Sequence, residues 1–321
     1  SIALQSLGYP AISLTGRQAG IRTGGHHTKN RIEEIKGENI KKHLKEGKIV
    51  IIAGFQGVNE KGDVATLGRG GSDTSAVALA AALDAKCEIY TDVKGVYSAD
   101  PRIVPNAIKM KEITNAEMLE LARLGAGVMH PQSVAMGKRY HVPIHVRSTF
   151  THESGTIIKD SYSKQMESNL ICGVAQDDNV ARIAVLGLEN MPGTAGMLFS
   201  ELASNEVPVD MIVQSARKLD DKTIDIIFTV ASTDLHQAKF VLEQMKKQGK
   251  INKVMYDDNC AKVSIVGPEM LGTPGVAARI FGSLGKDNIN IDIVSTSKNS
   301  ISCLIPRTYI NKAICAIHDE F

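Results

Sequence analysis

The sequence predicts an α/β protein, with a mostly parallel sheet flanked by helices in its first half and two α+β units in tandem after it. Three observations carry this. Apolar runs of strand length alternate with helical stretches up to about residue 150. Glycine-rich segments stand where strands hand over to helices. From about Thr151 the chain repeats itself, Ala181 to Gly187 (ARIAVLG) matching Ala261 to Gly267 (AKVSIVG). Alternating strands and helices build βαβ units, and a repeat of this length is one supersecondary unit used twice.

In chain order, Ser1 is followed at once by Ile2-Ala3-Leu4, which opens an apolar, helix-like run ending at Gly8, with neither an initiator methionine nor a capping approach. This beginning is expected to be trimmed or to lack earlier residues. Lys48 to Ala53 (KIVIIA) is continuously apolar, as in strands buried on both faces, and runs into Gly54-Phe55-Gln56-Gly57. Ser75 to Leu83 (SAVALAAAL) is a helix that is apolar nearly all round, so it packs against a sheet. Cys87 to Tyr90 gives a short strand, Glu117 to Arg123 and Val134 to Tyr140 give helices, and Val142 to Val146 a last strand. Ligands of such sheets bind at the carboxyl ends of the strands, where the glycine segments fall. In the repeat, Pro192-Gly193 matches Pro274-Gly275 and Val209-Asp210 matches Ile291-Asp292, after a slip of two residues in the first loop. Each copy reads as a strand, a Pro-Gly loop, an amphipathic helix and a further strand.

At 321 residues the chain has room for two or three domains. Its 37 basic and 35 acidic side chains leave a formal charge of +2 and are scattered, which argues against nucleic acid as a partner. Five cysteines lie far apart with no CxxC pair, the pattern of reduced thiols in a cytoplasm. No run of about 20 apolar residues and no signal pattern is present, so a soluble, unsecreted protein is expected. His26, His27 and His130 lack metal-ligand spacing, and no metal site in the protein is expected.

The strongest chemical signal is Thr66 to Asp73 (TLGRGGSD), between a strand and the apolar helix. Glycines let backbone N–H groups approach an anion, and the helix N-terminus adds partial positive charge. Arg69 can grip a carboxylate or phosphate through two parallel hydrogen bonds. Spacing alone fits equally a plain helix cap at Ser72 and Asp73. The segment is neither a Walker loop nor a GxGxxG fingerprint, so P-loop kinases and Rossmann dehydrogenases both lose ground. A second cluster, Thr91 to Arg102 (TDVKGVYSADPR), could meet a nucleotide or could be a solvated loop held in shape by Gly95 and Pro101.

The GFQG, TLGRGGSD and TDVKGVYSADPR segments, in this order and spacing, resemble the aspartokinase branch of the amino-acid kinase family, and the tandem repeat is similar to paired, ferredoxin-like ACT domains. The resemblance implies a kinase domain over residues 1–160, a first ACT domain over 172–250 and a second over 251–321. It implies in-line transfer of the ATP γ-phosphoryl group to the β-carboxylate of L-aspartate, the first step toward lysine, threonine and methionine, by positioning and charge neutralisation. Carried over by position, Arg69 holds the substrate carboxylate and Asp73 orients the phosphate-binding groups. Phe55, Gly70, Gly71 and Thr15 line the aspartate pocket, while Thr91, Asp92, Tyr97, Asp100 and Arg102 hold ATP, whose phosphates carry Mg²⁺. Two departures follow. The family's Lys-Phe-Gly-Gly-Thr/Ser and Gly-Glu motifs would precede Ser1, so the chain as numbered is expected to be catalytically crippled, and Gly127 stands where some members have a lysine near ATP.

In the repeat, Met191, Gly193, Thr194 and Ala195 with Asp210 and Gln214, and Thr273 to Val276 with Asn290 and Asp292, offer acceptors for an ammonium and donors for a carboxylate. The same residues also fit ordinary helix capping. With the resemblance, lysine or threonine is the expected effector, bound between ACT units of a homodimer that covers the exposed edge strands. A non-catalytic regulatory chain that binds the effector is the alternative, and a kinase for glutamate, acetylglutamate or carbamate is a more distant one.

Overall fold

Short connections decide how the first half closes. The computed structural model describes residues 1–25, 30–163, 171–215, 222–268, 270 and 274–321; His26, His27 and Thr273, named above, lie outside the described residues. The chain divides into two compact units, Ser1–Asp100 with Asn106–Cys172 and Pro101–Pro105 with Gly173–Phe321.

The first unit runs α1 (Ile2–Ser6), β1 (Ala11–Leu14), β2 (Ile21–Gly24), β3 (Arg31–Ile35), α2 (Glu38–Lys45), β4 (Ile49–Ile52), β5 (Gln56–Val58), β6 (Val64–Thr66), α3 (Gly71–Leu83), β7 (Cys87–Thr91), β8 (Glu112–Thr114), α4 (Asn115–Arg123), α5 (Pro131–Tyr140), β9 (Ile144–Ser148) and β10 (Thr156–Lys159). Its strands form a parallel pair β1-β4 and two four-stranded sheets, β7-β9-β10-β8 and β3-β2-β5-β6. The pairs β1-β4, β7-β9, β8-β10 and β2-β5 are parallel, whereas β2-β3, β5-β6 and β9-β10 are antiparallel. The sheets are therefore mixed: the loops joining β5 to β6 and β9 to β10 are too short for the crossover that a parallel pair requires. One expectation is corrected. The KIVIIA strand is buried on one face only, with Ile49 43% and Ile51 37% exposed, while Val50 and Ile52 pack on the Leu14, Ile21 and Ile40 cluster. The apolar helix falls where the sequence puts it, burying Val77, Ala78 and Ala80.

The second unit runs β11 (Gly173–Glu189), α6 (Thr194–Ser204), β12 (Ile212–Gln214), β13 (Thr223–Val230), α7 (Leu235–Lys247), β14 (Lys253–Val266), α8 (Val276–Lys286), β15 (Ile293–Thr296), β16 (Ser300–Pro306) and α9 (Ile310–His318). Its two repeats share one antiparallel sheet, ordered β12-β13-β11-β14-β16-β15. The first strands of the repeats, β11 and β14, pair at its centre with Val180 opposite Cys260. Those two positions are also partners in the sequence repeat, so a local two-fold passes between them. In the first repeat, alternate residues of β11 (Ala181, Ile183, Val185) pack with Leu198, Leu202, Phe228 and Leu242, and the Phe199 and Phe228 rings meet edge to face at 5.5 Å. All five cysteines are free thiols, and among the described residues no helix is long and apolar enough to cross a membrane.

Candidate functional site

Two parallel βαβ passages bring the predicted kinase residues to one end of the first unit. β1 and β4 are parallel, so Thr15 and Gly54-Phe55 leave their carboxyl ends side by side, with Ala53 N–H donating to Leu14 O at 2.9 Å. Thr15 is exposed and closes a small ring with Gln18, whose Oε1 accepts its N–H at 2.9 Å. Phe55 has φ +67°, a conformation a bulky residue rarely holds. Its N–H donates to Ser75 Oγ at 3.1 Å, its carbonyl accepts from Leu67 N–H at 3.0 Å, and its ring covers Gly71 so closely that a Cβ there would stand 2.8 Å from it. Strain fixed from both sides and left facing solvent fits a substrate pocket.

Gly70, with φ +65°, is the N-cap of α3, and no side chain caps that helix. Ser72 and Asp73 therefore stand inside the first turn and are not the cap, which removes the plain reading of this segment. A Cβ on Gly70 would fall 2.1 Å from Cβ of His130. His130 is the N-cap of α5, with its Nδ1 accepting the Gln132 N–H at 3.3 Å. Its backbone N–H donates to Asp73, whose carboxyl is nonetheless held above its usual range because it is half-buried. Burial likewise pushes the His130 imidazole down; the Asp73 charge works against this and the Arg69 charge adds to it. Arg69 itself is exposed between two glycines. Two helix N-termini thus converge on one arginine, a suitable cradle for phosphate oxygens or a carboxylate.

The nucleotide-side loop lies at the same end. Three-residue turns join α3 to β7 and α5 to β9, so each helix runs antiparallel to its strand. Because β7 and β9 are parallel, the two helix N-termini and the carboxyl ends Thr91 and Ser148 lie together, and Thr149 N–H donates to Thr91 O at 2.8 Å. Thr91 Oγ1 donates to Asp92 Oδ1 at 3.0 Å. Tyr97 is half-buried and bridges to Lys109. The loop is anchored from below by Thr156 Oγ1, which accepts Val96 N–H at 2.9 Å, and from the side by Glu153, which binds Lys94 at 2.7 Å and Lys109 at 2.6 Å. These two lysines pull the Glu153 carboxyl down to about 2. Asp100 closes the first unit's share of the loop, and Arg102 falls within Pro101–Pro105, which group with the second unit. The sequence names His130 only to set aside a metal role, and does not single out Glu153 or Thr156. The histidine had a legible signal, since a polar residue directly before a proline marks a helix start; Glu153 and Thr156 act through contacts more than 40 residues away.

In the second unit a cavity of about 480 Å³ opens at the N-terminal end of α6, lined by Glu189, Met191, Gly193, Thr194, Lys250 and Asn252 among others. Three of the expected effector residues line it, and Ala195 lies one position inside the helix. Asp210 and Gln214 do not join them. Asp210 N–H donates to Thr229 O, and Thr229 stands opposite Arg182. That places Asp210 seven residues along β11 from Glu189, roughly 20 Å at the rise of a strand. Asp210 instead binds Lys262 at 2.5 Å and Asp292 binds Arg182 at 3.1 Å. Asn290 is exposed in the approach to β15. The expected effector constellation is thus not assembled within one chain.

Comparison with known proteins follows this division. Residues 1–148 match the amino acid kinase family, and residues 183–245 and 263–321 match the ACT domain. The chain is 45% identical over 324 residues to an aspartokinase of Corynebacterium efficiens, covering all of this chain and 77% of that protein. Among solved structures it is similar to E. coli aspartokinase III in complex with aspartate and ADP (R-state), with a TM-score of 0.84, 26% identity and coverage of 99% of this chain and 71% of that one. The same enzyme in complex with lysine and aspartate (T-state) aligns with a TM-score of 0.75, 26% identity and coverage of 98% and 70%.

Proposed function

The chain belongs to the aspartokinase family and is an aspartate kinase, and from that premise we propose how its residues divide the reaction. The γ-phosphoryl group of ATP passes in line to the β-carboxylate of L-aspartate, giving 4-phospho-L-aspartate, at the end of the first unit where α3 and α5 meet. Arg69 holds the substrate carboxylate in a bidentate grip. The α3 N-terminus and the glycine backbone at 68–71 receive phosphate oxygens, and Phe55 closes the aspartate pocket beside Thr15. Thr91, Asp92, Tyr97, Asp100 and Arg102 are assigned to the nucleotide. Mg²⁺ enters on the phosphates of ATP and neutralises their charge. Asp73, fixed by the His130 N–H, keeps the first turn of α3 and the α5 N-terminus in one geometry.

The observation that carries this reading is the contact of Gly70 with His130, which puts two helix N-termini around Arg69. E. coli aspartokinase III has been solved in complex with aspartate and ADP, in keeping with this assignment. The test is titration calorimetry of aspartate in the presence of ADP, together with aspartate-dependent ADP release. Arg69→Lys is expected to weaken aspartate binding by roughly 100-fold, the share of a charge-assisted bidentate pair, while ADP binding stays within about threefold. Equal aspartate affinity in wild type and variant removes Arg69 from the substrate.

The second unit acts as the amino-acid sensor. Lysine or threonine, or both, place a carboxylate at the α6 N-terminus and an ammonium at an acidic residue. Because these halves stand apart in one chain, the acidic half is supplied by a second copy, which makes the regulated form a homodimer built on the exposed edges β12 and β15. The complex of E. coli aspartokinase III with lysine and aspartate supports lysine as the first ligand to try.

A further inference from the structure

The two acidic residues assigned to effector ammonium groups already carry a cation, and each takes it from the other repeat. Lys262, in β14 of the second repeat, binds Asp210 of the first at 2.5 Å. Arg182, in β11 of the first repeat, binds Asp292 of the second at 3.1 Å. Each base has a second acid within reach on the opposing central strand: Asp177 lies 4.0 Å from Lys262, and Asp257 lies 2.8 Å from Arg182. The arrangement obeys the local two-fold. Asp177-Asp178-Asn179 and Asp257-Asp258-Asn259 are the same tripeptide in the two repeats, each followed three residues later by the base, Arg182 or Lys262. In both, the asparagine N–H donates to the first aspartate at 3.0 Å. Between the two clamps the axis is filled by Val180, Cys260, Met211, Ile293 and Leu304.

A ligand ammonium that takes Asp210 competes with the Lys262 ammonium, which stands 2.5 Å from the same carboxylate and already neutralises its charge. Lys262 cannot simply turn to water, since its side chain is only 4% exposed. Its available alternative is Asp177. Arg182, with a side chain 31% exposed, would give up Asp292 and keep Asp257.

We propose that these crossed clamps are the regulatory coupling between the two repeats: an amino-acid effector whose ammonium takes Asp210 transfers Lys262 to Asp177, and one whose ammonium takes Asp292 leaves Arg182 to Asp257 alone. Occupation of a site in one repeat thereby changes the charge pairing on the central strand of the other. The inference rests on the reading that Asp210 and Asp292 accept the effector ammonium. It gives the base and its reserve acid opposite signs. The base competes with the ligand, and the reserve acid makes room for it.

Titration calorimetry of L-lysine and of L-threonine into the 321-residue chain tests this, with melting curves to confirm that each variant is folded. Lys262→Met is expected to tighten binding by about tenfold and Asp177→Asn to weaken it by about tenfold, within the usual span for coupled sites. The double variant should behave as Lys262→Met, because the reserve acid has no function once its base is gone. Lys262→Gln is the substitute if Lys262→Met does not fold, and Arg182→Met with Asp257→Asn is the matching set for the second repeat. Affinities that stay within twofold of wild type in both single variants, or that move in the same direction, overturn the inference while leaving the effector reading intact. Absence of binding of either amino acid to the wild type and to Lys262→Met alike overturns the effector reading, and the inference falls with it.

Discussion

At the scale of single residues, the candidate active site depends on atoms that are absent. Gly70 holds a left-handed backbone and lies under the His130 side chain, so an alanine there meets two costs: the φ of +65° and a Cβ contact of 2.1 Å. The first is about 1 kcal/mol and the second, as overpacking, about 1–3 kcal/mol. Gly70→Ala is expected to lower stability by roughly 2–4 kcal/mol in urea denaturation. In a cycle with His130→Gly, which removes the Cβ that Gly70→Ala would meet, the two losses should fall short of additivity by about 1–2 kcal/mol. An additive cycle would mean that the helix N-termini of α3 and α5 are not locked by this contact.

At the scale of elements, α4 shows how a short helix is fixed next to the nucleotide-side strands. Thr114 accepts the Glu117 N–H at 3.2 Å, and the Glu117 carboxylate accepts the Thr114 N–H at 3.0 Å, completing a capping box. The same carboxylate, though Glu117 is only 4% exposed, also accepts the Tyr162 hydroxyl at 2.6 Å. Burial, together with that bond, raises the Tyr162 pKa well above the ordinary tyrosine range. Thr114→Ala removes one cap bond and is expected to cost about 1 kcal/mol. Glu117→Ala strands a backbone N–H and a tyrosine hydroxyl and is expected to cost about 2–3 kcal/mol. Reversal of that order in denaturation midpoints would show that the box, and not the tyrosine, sets the stability of α4.

At the scale of the whole molecule, the second unit is one sheet made from two copies of a sequence. β11, at 17 residues, is paired on both sides, by β13 and by β14. Ending the chain at residue 250 would expose the whole β14-facing edge of β11, an invitation to unspecific strand pairing. A fragment of residues 173–250 is expected to aggregate or to lack a cooperative melt in circular dichroism, whereas 173–321 should melt as one transition. Independent folding of the shorter fragment would make each repeat a domain in its own right.

The sequence by itself determined the kind of protein this is and the order of its parts. Its helices at 75–83, 117–123 and 134–140, the glycine segment with Arg69, the 91–102 loop and the repeat at positions 181 and 261 all announce themselves through local periodicity, turn chemistry or self-similarity. Tertiary structure alone decided that KIVIIA leaves Ile49 and Ile51 exposed, that His130 rests on Gly70, that Glu153 and Thr156 anchor the nucleotide-side loop, and that Asp210 and Asp292 are clamped to the opposite repeat. The physical reason is range. Propensity and patterning act within a few residues, whereas these contacts join groups from about 50 to more than 100 positions apart, and each depends on side-chain reach across a sheet or between helix ends that no local pattern encodes.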